Sequence, residues 1–196
     1  MRRRAVFLDR DGVINRNVYY ADTGEWESPR VVSDLALMDG VLPALRSLQR
    51  ANFLLFIVSN QPSFAKGKTT LDDLRAIHDE MESLLTADGI RLTEAFYCFH
   101  HPRGIVPELA VQCDCRKPSA HFLLEAARNY DLDLRESWMI GDRDTDIECG
   151  QAAGVRTIQV ERDHPSARAT QAVPAFKAAA LPDAAALILR HLGVAP

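Results

Sequence analysis

Two aspartates beside a glycine turn are the first residues in the chain whose types and spacing could do chemistry. Asp9 directly follows the apolar run of residues 5–8, Asp11 lies two positions later, and Gly12 comes next. Strand-like spacing would direct both carboxylates the same way, and the turn at Gly12 can alter that direction. Two close carboxylates repel each other, so a bound cation is expected, and hard oxygen ligands suit Mg²⁺. An ordinary Asp-Gly turn at a strand end is the alternative reading.

Further polar residues stand where other apolar runs end or where the chain turns. They are Ser59, Asn60 and Gln61 after the run of residues 53–58, Arg116 and Lys117 before Pro118, and Asp142 within GDRDTD of residues 141–146. Each also has a plain structural reading. Lys117 could be an ordinary loop lysine, and Ser59 a hydroxyl that caps a turn. Asp146 could be an acid favoured by the dipole of a helix N-terminus.

The elements that must position these residues alternate between strand and helix patterns. Apolar β-type runs predict strands at residues 4–8, 53–59, 95–98, 137–140 and 155–160. Helical spacing predicts helices around residues 41–48 and at 70–85, 119–130, 144–153 and 183–192. Such alternation implies an α/β fold with a doubly wound parallel sheet covered on both faces. In open α/β sheets ligands bind at the carboxyl ends of the strands, where the polar residues above are expected to meet.

Four soft or borderline ligands occur in a second pattern, Cys98-x-His100 and Cys113-x-Cys115, separated by residues 101–112. Their number and type suit a closed tetrahedral Zn²⁺ site with a structural role. Unligated buried thiols are the competing reading, and His101 is a weaker candidate ligand. A disulfide between Cys113 and Cys115 would be strained at that spacing.

Composition limits the remaining possibilities. The 196 residues fit a single domain of residues 1–196 that includes the zinc loop of residues 98–115, and we expect a monomer. A net charge of −4 argues against a nucleic-acid partner. The apolar stretch after the basic start is too short for a signal peptide or a membrane span, so no membrane partner and a cytoplasmic location are expected. In a reducing compartment the cysteines are expected as ligands or packed thiols, Cys149 among the latter.

The ordered motifs resemble those of the haloacid-dehalogenase-like (HAD-like) phosphatases over residues 4–160. The resemblance rests on FLDRDGVIN, on residues 59–61, on residues 116–118 and on GDRDTD. It implies that Asp9 attacks phosphorus and forms an aspartyl-phosphate. It also implies that Asp11 protonates the leaving oxygen and then takes a proton from the hydrolytic water.

The same resemblance implies roles for the other motif residues. Ser59 and neighbouring backbone N–H groups would hold phosphoryl oxygens, and Lys117 would neutralise charge on the transferred group. Asp142 would complete a Mg²⁺ site with Asp9 and the backbone carbonyl of Asp11. Arg116 would face the substrate, a small phosphorylated metabolite.

The run CFHHPRGIVPELAVQCDCRKP is similar to the zinc loop of D-glycero-D-manno-heptose-1,7-bisphosphate phosphatases, and histidinol-phosphate phosphatases carry a related, shorter loop. The implied fold has no large cap domain, so the loops at residues 17–20, 64–68 and 102–108 would select the substrate. Asn17, Tyr20, Asn60 and Gln61 are the further candidate substrate contacts.

The leading hypothesis is therefore a sugar-phosphate phosphatase acting on heptose 1,7-bisphosphate. Histidinol-phosphate hydrolysis and, more remotely, a non-enzymatic zinc module are the alternatives. Residues 16–38 form a longer segment than we expect for the heptose enzymes, and Pro62-Ser63 stands where they usually have a serine and a glycine. Arg143 stands where those enzymes tend to have lysine, which is more like the histidinol group.

Overall fold

A six-stranded parallel sheet forms the centre of the computed structural model, which describes residues 2–162 and 171–193. The strand order is β5-β4-β1-β6-β7-β8, and a separate antiparallel pair joins β2 to β3. The strands are β1 (Arg4–Leu8), β2 (Val18–Tyr20), β3 (Glu25–Glu27), β4 (Phe53–Asn60), β5 (Glu94–Cys98), β6 (Trp138–Gly141), β7 (Arg156–Val160) and β8 (Phe176–Ala178). The helices are α1 (Val41–Arg50), α2 (Leu71–Ala87), α3 (His121–Tyr130), α4 (Asp144–Ala153) and α5 (Leu181–His191). The predicted α/β class is confirmed.

Helices cover both faces of the sheet, and successive side chains of β1 point to opposite faces. Val6 and Leu8 join an apolar cluster with residues of α1, α2 and α5. Ala5 and Phe7 join a second cluster with residues of α3 and α4. Every one of these four β1 side chains is fully buried, so β1 is apolar throughout because it lies at the middle of a sheet covered on both sides.

Helix α2 shows how the sequence pattern and the fold agree and where they differ. It is predicted at residues 70–85 and runs from Leu71 to Ala87. Thr70 caps it, since its hydroxyl accepts a hydrogen bond from the Asp73 N–H in a capping box. Its buried stripe ends at Leu85, whereas Leu84 is 38% exposed. At 3.6 residues per turn, residue 85 continues the stripe through Met81, whereas residue 84 falls at its edge. Within the described residues, no helix has the length and apolar content that crossing a membrane requires.

The long segment after β1 contains the hairpin of β2 and β3, which the sequence patterns did not predict. The segment leaves and rejoins the body at one place, because an antiparallel ladder closes its base. Arg16 N–H donates to the Ala36 carbonyl at 2.8 Å, and Met38 N–H donates to the Ile14 carbonyl at 2.8 Å. Strands of three residues carry too little apolar periodicity to be recognised, and the edge strand β8 was missed for the same reason.

Candidate active site

The carboxyl ends of β1, β4 and β6 bring the predicted polar residues together. Leu8 pairs with Ile57 of β4 and with Ile140 of β6, so the residues that follow lie side by side. The Asp9 N–H donates to the Ile140 carbonyl at 2.9 Å. Asp9, Ser59 and Asp142 are all buried. A parallel sheet thus aligns residues that are far apart in the chain.

Lys117 links these strand ends through its buried ammonium group. Its Nζ lies 2.9 Å from Asp9 Oδ1 and 2.6 Å from Asp146 Oδ1, and it donates to the Val58 carbonyl at 2.6 Å. The loop that carries it is held by Asn60, whose amide accepts from the Lys117 N–H at 3.0 Å and donates to its carbonyl at 3.1 Å. Asn60 thus has a positioning contact, and its contact with substrate stays a prediction.

Charge sets the protonation of this cluster. Burial opposes the charged form of Lys117, but Asp146 and Asp9 outweigh it and raise its pKa, so the ammonium stays protonated. Burial alone would raise the pKa of Asp9, whereas Lys117 and Arg143 bring it below its usual value. Asp9 therefore carries a negative charge, as a nucleophile requires.

Asp142 has the environment of a cation ligand. It is 1% exposed, and neither of its side-chain oxygens has a hydrogen-bond partner among the described residues. Burial and the neighbouring Asp146 raise its pKa to about 8. Carboxylate oxygens of Asp9, Asp142 and Asp146 lie within 4.8 Å of one another. The Nε atoms of Arg143 and Arg162 lie 3.7 and 4.0 Å from the two oxygens of Asp142, beyond hydrogen-bond distance. Three buried carboxylates this close repel one another unless a cation joins them, so the donor set fits Mg²⁺.

Asp146 is the site residue that sequence reasoning undervalued. It lies in the first turn of α4, where an acid needs no other explanation, yet it is fully buried and paired with Lys117. Its Oδ2 accepts a hydrogen bond from the Arg143 N–H at 2.9 Å. The signal available was its place in GDRDTD, four positions after Asp142. Gly141 makes room for it, because a Cβ there would lie 2.2 Å from the Asp146 Cβ.

Asp11 lies beside this cluster, and its carboxylate is held by a separate set of donors. Its Oδ1 accepts from the Asn15 amide at 2.9 Å, and its Oδ2 accepts from the Gln61 amide at 2.6 Å. Gln61 also donates to the Ser59 hydroxyl at 3.0 Å and is 1% exposed. Gln61 thus supports Asp11, and its contact with substrate stays a prediction. The turn needs Gly12, whose φ is +82° and whose Cβ would lie 3.0 Å from Asp142 Oδ2.

The predicted zinc ligands converge in a second cluster. Cys115 Sγ lies 3.3 Å from Cys98 Sγ, 3.3 Å from Cys113 Sγ and 3.5 Å from His100 Nδ1, and the Cys98 and Cys113 sulfurs are 3.5 Å apart. Tetrahedral ligation with Zn–S bonds of about 2.3 Å places sulfur atoms about 3.8 Å apart. Burial raises the pKa of the Cys98 and Cys115 thiols, and a divalent cation would restore their thiolate form. The donor set therefore fits Zn²⁺.

His101 faces its own loop and is not part of this cluster. Its Nδ1 accepts from the Arg103 N–H at 3.1 Å, and its N–H donates to the Leu109 carbonyl. Arg116 reaches back to the His100 carbonyl at 3.2 Å. Burial and the nearby cations Lys66, Arg116 and Arg103 lower the pKa of His101, which keeps the imidazole neutral. Three basic side chains therefore lie near His101.

The substrate loops named from the sequence form one rim. The Ala65 carbonyl accepts hydrogen bonds from the N–H groups of Ile105 and Val106 at 2.7 and 3.2 Å, which joins loop 64–68 to the zinc loop. Lys68 pairs with Glu27 of β3, which joins loop 64–68 to the hairpin. Asn17, at the base of the hairpin, is buried beside Gly12.

Tyr20 lies inside a tightly connected part of this rim. Its hydroxyl donates to Asp34 Oδ2 at 2.5 Å and accepts from the Arg30 N–H at 2.8 Å. The Arg30 guanidinium lies 3.8 Å from the centre of the Tyr20 ring and pairs with Asp22 and Glu27. These contacts make Tyr20 a support of the hairpin, and direct contact with substrate stays a prediction for it.

Comparison with known proteins identifies relatives of the whole arrangement. The family model described as HAD-hydrolase-like matches residues 114–187. The D-glycero-beta-D-manno-heptose-1,7-bisphosphate 7-phosphatase of Rhodopseudomonas palustris is 38% identical over 82% of this chain and 84% of that protein. The corresponding alpha-anomer 7-phosphatase of Photorhabdus laumondii is 31% identical over 86% of this chain and 88% of that protein.

A solved structure similar to this fold is described as the same kind of phosphatase as these sequence relatives. The D,D-heptose 1,7-bisphosphate phosphatase of B. bronchiseptica, crystallised with magnesium and phosphate, superposes with a TM-score of 0.76 at 25% identity. The alignment covers 96% of this chain and 99% of that one. The described residues contain no large cap domain, as the sequence predicted, and that structure has nearly the same extent.

Proposed function

Because the chain belongs to the heptose-1,7-bisphosphate 7-phosphatase family of HAD-like hydrolases, we propose that it removes the 7-phosphate from a D-glycero-D-manno-heptose 1,7-bisphosphate. The enzyme is a phosphatase, and the geometry of the site supports a mechanism through an aspartyl-phosphate. One observation carries the proposal: a buried lysine pairs with Asp9 and Asp146 beside Asp142, whose buried oxygens lack hydrogen-bond partners.

In the first step a carboxylate oxygen of Asp9 attacks phosphorus. The bond from phosphorus to Asp9 forms while the bond from phosphorus to the leaving oxygen breaks. Asp11 enters this step protonated, gives its proton to the leaving oxygen and becomes ionised. Lys117 holds Asp9 in place and offers positive charge to the transferred group. Ser59, buried at the same strand ends, donates a hydrogen bond to a phosphoryl oxygen.

In the second step water hydrolyses the aspartyl-phosphate. Asp11, now ionised, takes a proton from the attacking water, the bond from phosphorus to Asp9 breaks, and inorganic phosphate leaves. Asp9, Asp142 and the Asp11 carbonyl would hold Mg²⁺, with Asp146 close by. The bound ion supplies positive charge that offsets the negative charges of phosphate and aspartates.

Zinc would bind Cys98, His100, Cys113 and Cys115 as a structural ion, because the protein fills all four positions. Cys115 is adjacent to Arg116 and Lys117 in the chain, so the ion would fix the start of the catalytic loop. Arg116 and the rim of the three loops would then contact the sugar and its second phosphate. Substrate choice follows from these loops because the site has no large cap.

The test is Mg²⁺-dependent phosphate release from a panel of both heptose 1,7-bisphosphate anomers, histidinol phosphate and common sugar phosphates. We expect one heptose anomer to exceed the other substrates in kcat/KM, and Asp9→Asn to abolish turnover. A preference for histidinol phosphate would mean that the proposed substrate is wrong and that the proposed mechanism still holds. Full activity of Asp9→Asn would rule out the covalent mechanism, and no turnover at all with zinc bound would favour a binding module.

The organisation of the whole chain also belongs to the proposal. We propose that residues 1–196 form one domain with the zinc loop of residues 98–115 built into it. Support comes from the parallel sheet that runs through both ends of the described chain, from β1 to β8. The monomeric state and the cytoplasmic location stay predictions, which size-exclusion chromatography and cell fractionation would test.

A further inference from the structure

Arg10 is a buried arginine for which the reaction described above has no use. It stands between Asp9 and Asp11, yet only 1% of it is exposed, so it is enclosed and out of reach of a substrate. Burying a guanidinium is costly unless charged and polar partners replace water. The partners that it has therefore indicate what it does.

Those partners are Asp11 and the residue that also holds Asp11. Arg10 Nε and Nη2 donate to Asp11 Oδ1 at 3.1 and 3.0 Å, and Nη2 lies 3.4 Å from Asp11 Oδ2. The same Nη2 donates to Gln61 Oε1 at 2.9 Å, while Gln61 Nε2 donates to Asp11 Oδ2 at 2.6 Å. Arg10, Gln61 and Asp11 thus form a closed ring of hydrogen bonds, and Asn15 binds the same carboxylate from another side.

The guanidinium is itself held in place from the sheet. It lies 5.8 Å from the centre of the Tyr97 ring in β5, and the Tyr97 hydroxyl lies 3.0 Å from His78 Nδ1 of α2. The Gln61 N–H donates to the Cys98 carbonyl at the end of β5. The ring of hydrogen bonds is therefore fixed to β5, which also carries the first zinc ligand.

We infer that Arg10 is the positioning residue of the general acid and base, holding the Asp11 carboxylate in a set orientation with Gln61 as the bridge. The inference rests on the proposed function, in which Asp11 serves both steps. A group that moves protons must be held within about 0.5 Å of its working position, which a flexible aspartate cannot achieve alone. The fork of two Arg10 N–H donors fixes the place of Oδ1, and the Gln61 amide, itself bound to Arg10, fixes Oδ2 and with it the plane of the carboxylate.

The test uses the dependence of the first step on its leaving group. A sugar alkoxide needs a proton from Asp11, whereas p-nitrophenolate leaves without one. In single-turnover measurements we expect Arg10→Met to slow release from the preferred sugar phosphate about 100-fold, which is the lower range of general acid catalysis. Release of p-nitrophenolate should slow less than about tenfold. Asp11→Asn should show the same pattern.

A double-mutant comparison makes the inference sharper. If Arg10 acts through Asp11, adding Arg10→Met to Asp11→Asn should change the sugar-phosphate rate by no more than about threefold. Arg10→Lys keeps the charge but loses the fork, so it should recover part of the rate. Arg75→Met is the matched control, because Arg75 pairs with Asp72 on the exposed face of α2 and should leave both rates unchanged.

The inference would be overturned if Arg10→Met slowed release from both substrates equally. It would also be overturned if Arg10→Met slowed the Asp11→Asn enzyme by the same factor as it slows the wild type. If Arg10→Met does not fold, Arg10→Lys carries the test, and it must show the same difference between the two substrates. A wild-type enzyme that turns over no sugar phosphate would refute the proposed function itself. A wild-type enzyme that is active while Arg10→Lys and Arg10→Met lose both rates equally would refute only the role of Arg10.

Discussion

Replacing Gly141 by alanine tests whether the contact between β6 and α4 fixes the position of Lys117, the lysine of the proposed mechanism. The added Cβ would lie 2.2 Å from the Asp146 Cβ and 2.4 Å from its Oδ2, where an ordinary contact needs at least 3.4 Å. Both clashing Cβ atoms are fixed to backbone, so a rotamer change cannot relieve the contact. The start of α4 must move away by roughly 1 Å, a displacement that can cost about 100-fold in rate.

We expect two measurable results from this displacement. The ion pair of 2.6 Å between Lys117 Nζ and Asp146 Oδ1 is lost or lengthened, so kcat/KM for phosphate release falls about 100-fold. Overpacking between a strand and a helix lowers the free energy of unfolding by about 1–3 kcal/mol, which urea denaturation measures. Activity is assayed without urea, at a temperature at which both proteins are fully folded.

Gly154→Ala is the matched control at the other end of α4. Its φ is +78°, but a Cβ there meets no atom within 4 Å. The substitution should therefore lower the free energy of unfolding by about 1 kcal/mol through backbone strain alone and leave kcat/KM unchanged. If Gly141→Ala keeps the wild-type kcat/KM, the reasoning is refuted, because the position of Asp146 then does not set the position of Lys117.

Three further predictions follow from the charges and thiols of the two clusters. Lys117→Met should lower kcat about 100- to 1000-fold, and Mg²⁺ should bind more tightly in calorimetry because Asp9 and Asp146 lose their compensating charge. Cys115→Ser should reduce bound zinc below one ion per chain, measured by mass spectrometry, and lower the Tm because the catalytic loop loses its anchor. Burial raises the pKa of Asp142 from 3.8 to about 8, so the folded Mg²⁺-free protein keeps a proton that the unfolded chain releases. Its Tm should therefore fall as pH rises from 4 towards 8, and Asp142→Asn should flatten that fall.

Each of these predictions has a result that contradicts it. Weaker Mg²⁺ binding in Lys117→Met would mean that the lysine helps to shape the cation site. Cys149 is a buried thiol outside the zinc cluster, so Cys149→Ser should keep full zinc content, and an equal loss of zinc would point to general unfolding. The pH test uses protein dialysed free of Mg²⁺ with zinc retained, and a profile unchanged in Asp142→Asn would place the titration elsewhere.

The sequence predicted the parts of the site that depend on strand order. Asp9, Ser59 and Asp142 follow apolar runs, and parallel pairing necessarily brings the ends of such runs together. The cluster of Cys98, His100, Cys113 and Cys115 was also predictable, because the number and spacing of thiols and imidazole limit the possible chemistry. Both predictions use local signals that need no knowledge of packing.

The remaining features depend on contacts between distant segments. Asp146 looks like any acid at a helix start until Lys117 is placed against it. The amides of Asn60 and Gln61 were expected to face a substrate, but their hydrogen bonds go to a loop backbone and to a buried carboxylate. Sequence position shows where a side chain is attached, whereas its partners depend on loops whose course follows from the complete fold.

The closed base of the hairpin segment bears on how this enzyme family diversifies. Because Ile14 and Arg16 pair with Met38 and Ala36, residues can be gained or lost between these positions without moving the ends that enter the body. A change in the length of residues 16–38 therefore need not move the loop before residue 15, although that segment forms part of the rim. The segment can thus change by insertion or deletion while Asp9 and Asp11 keep their places at the end of β1.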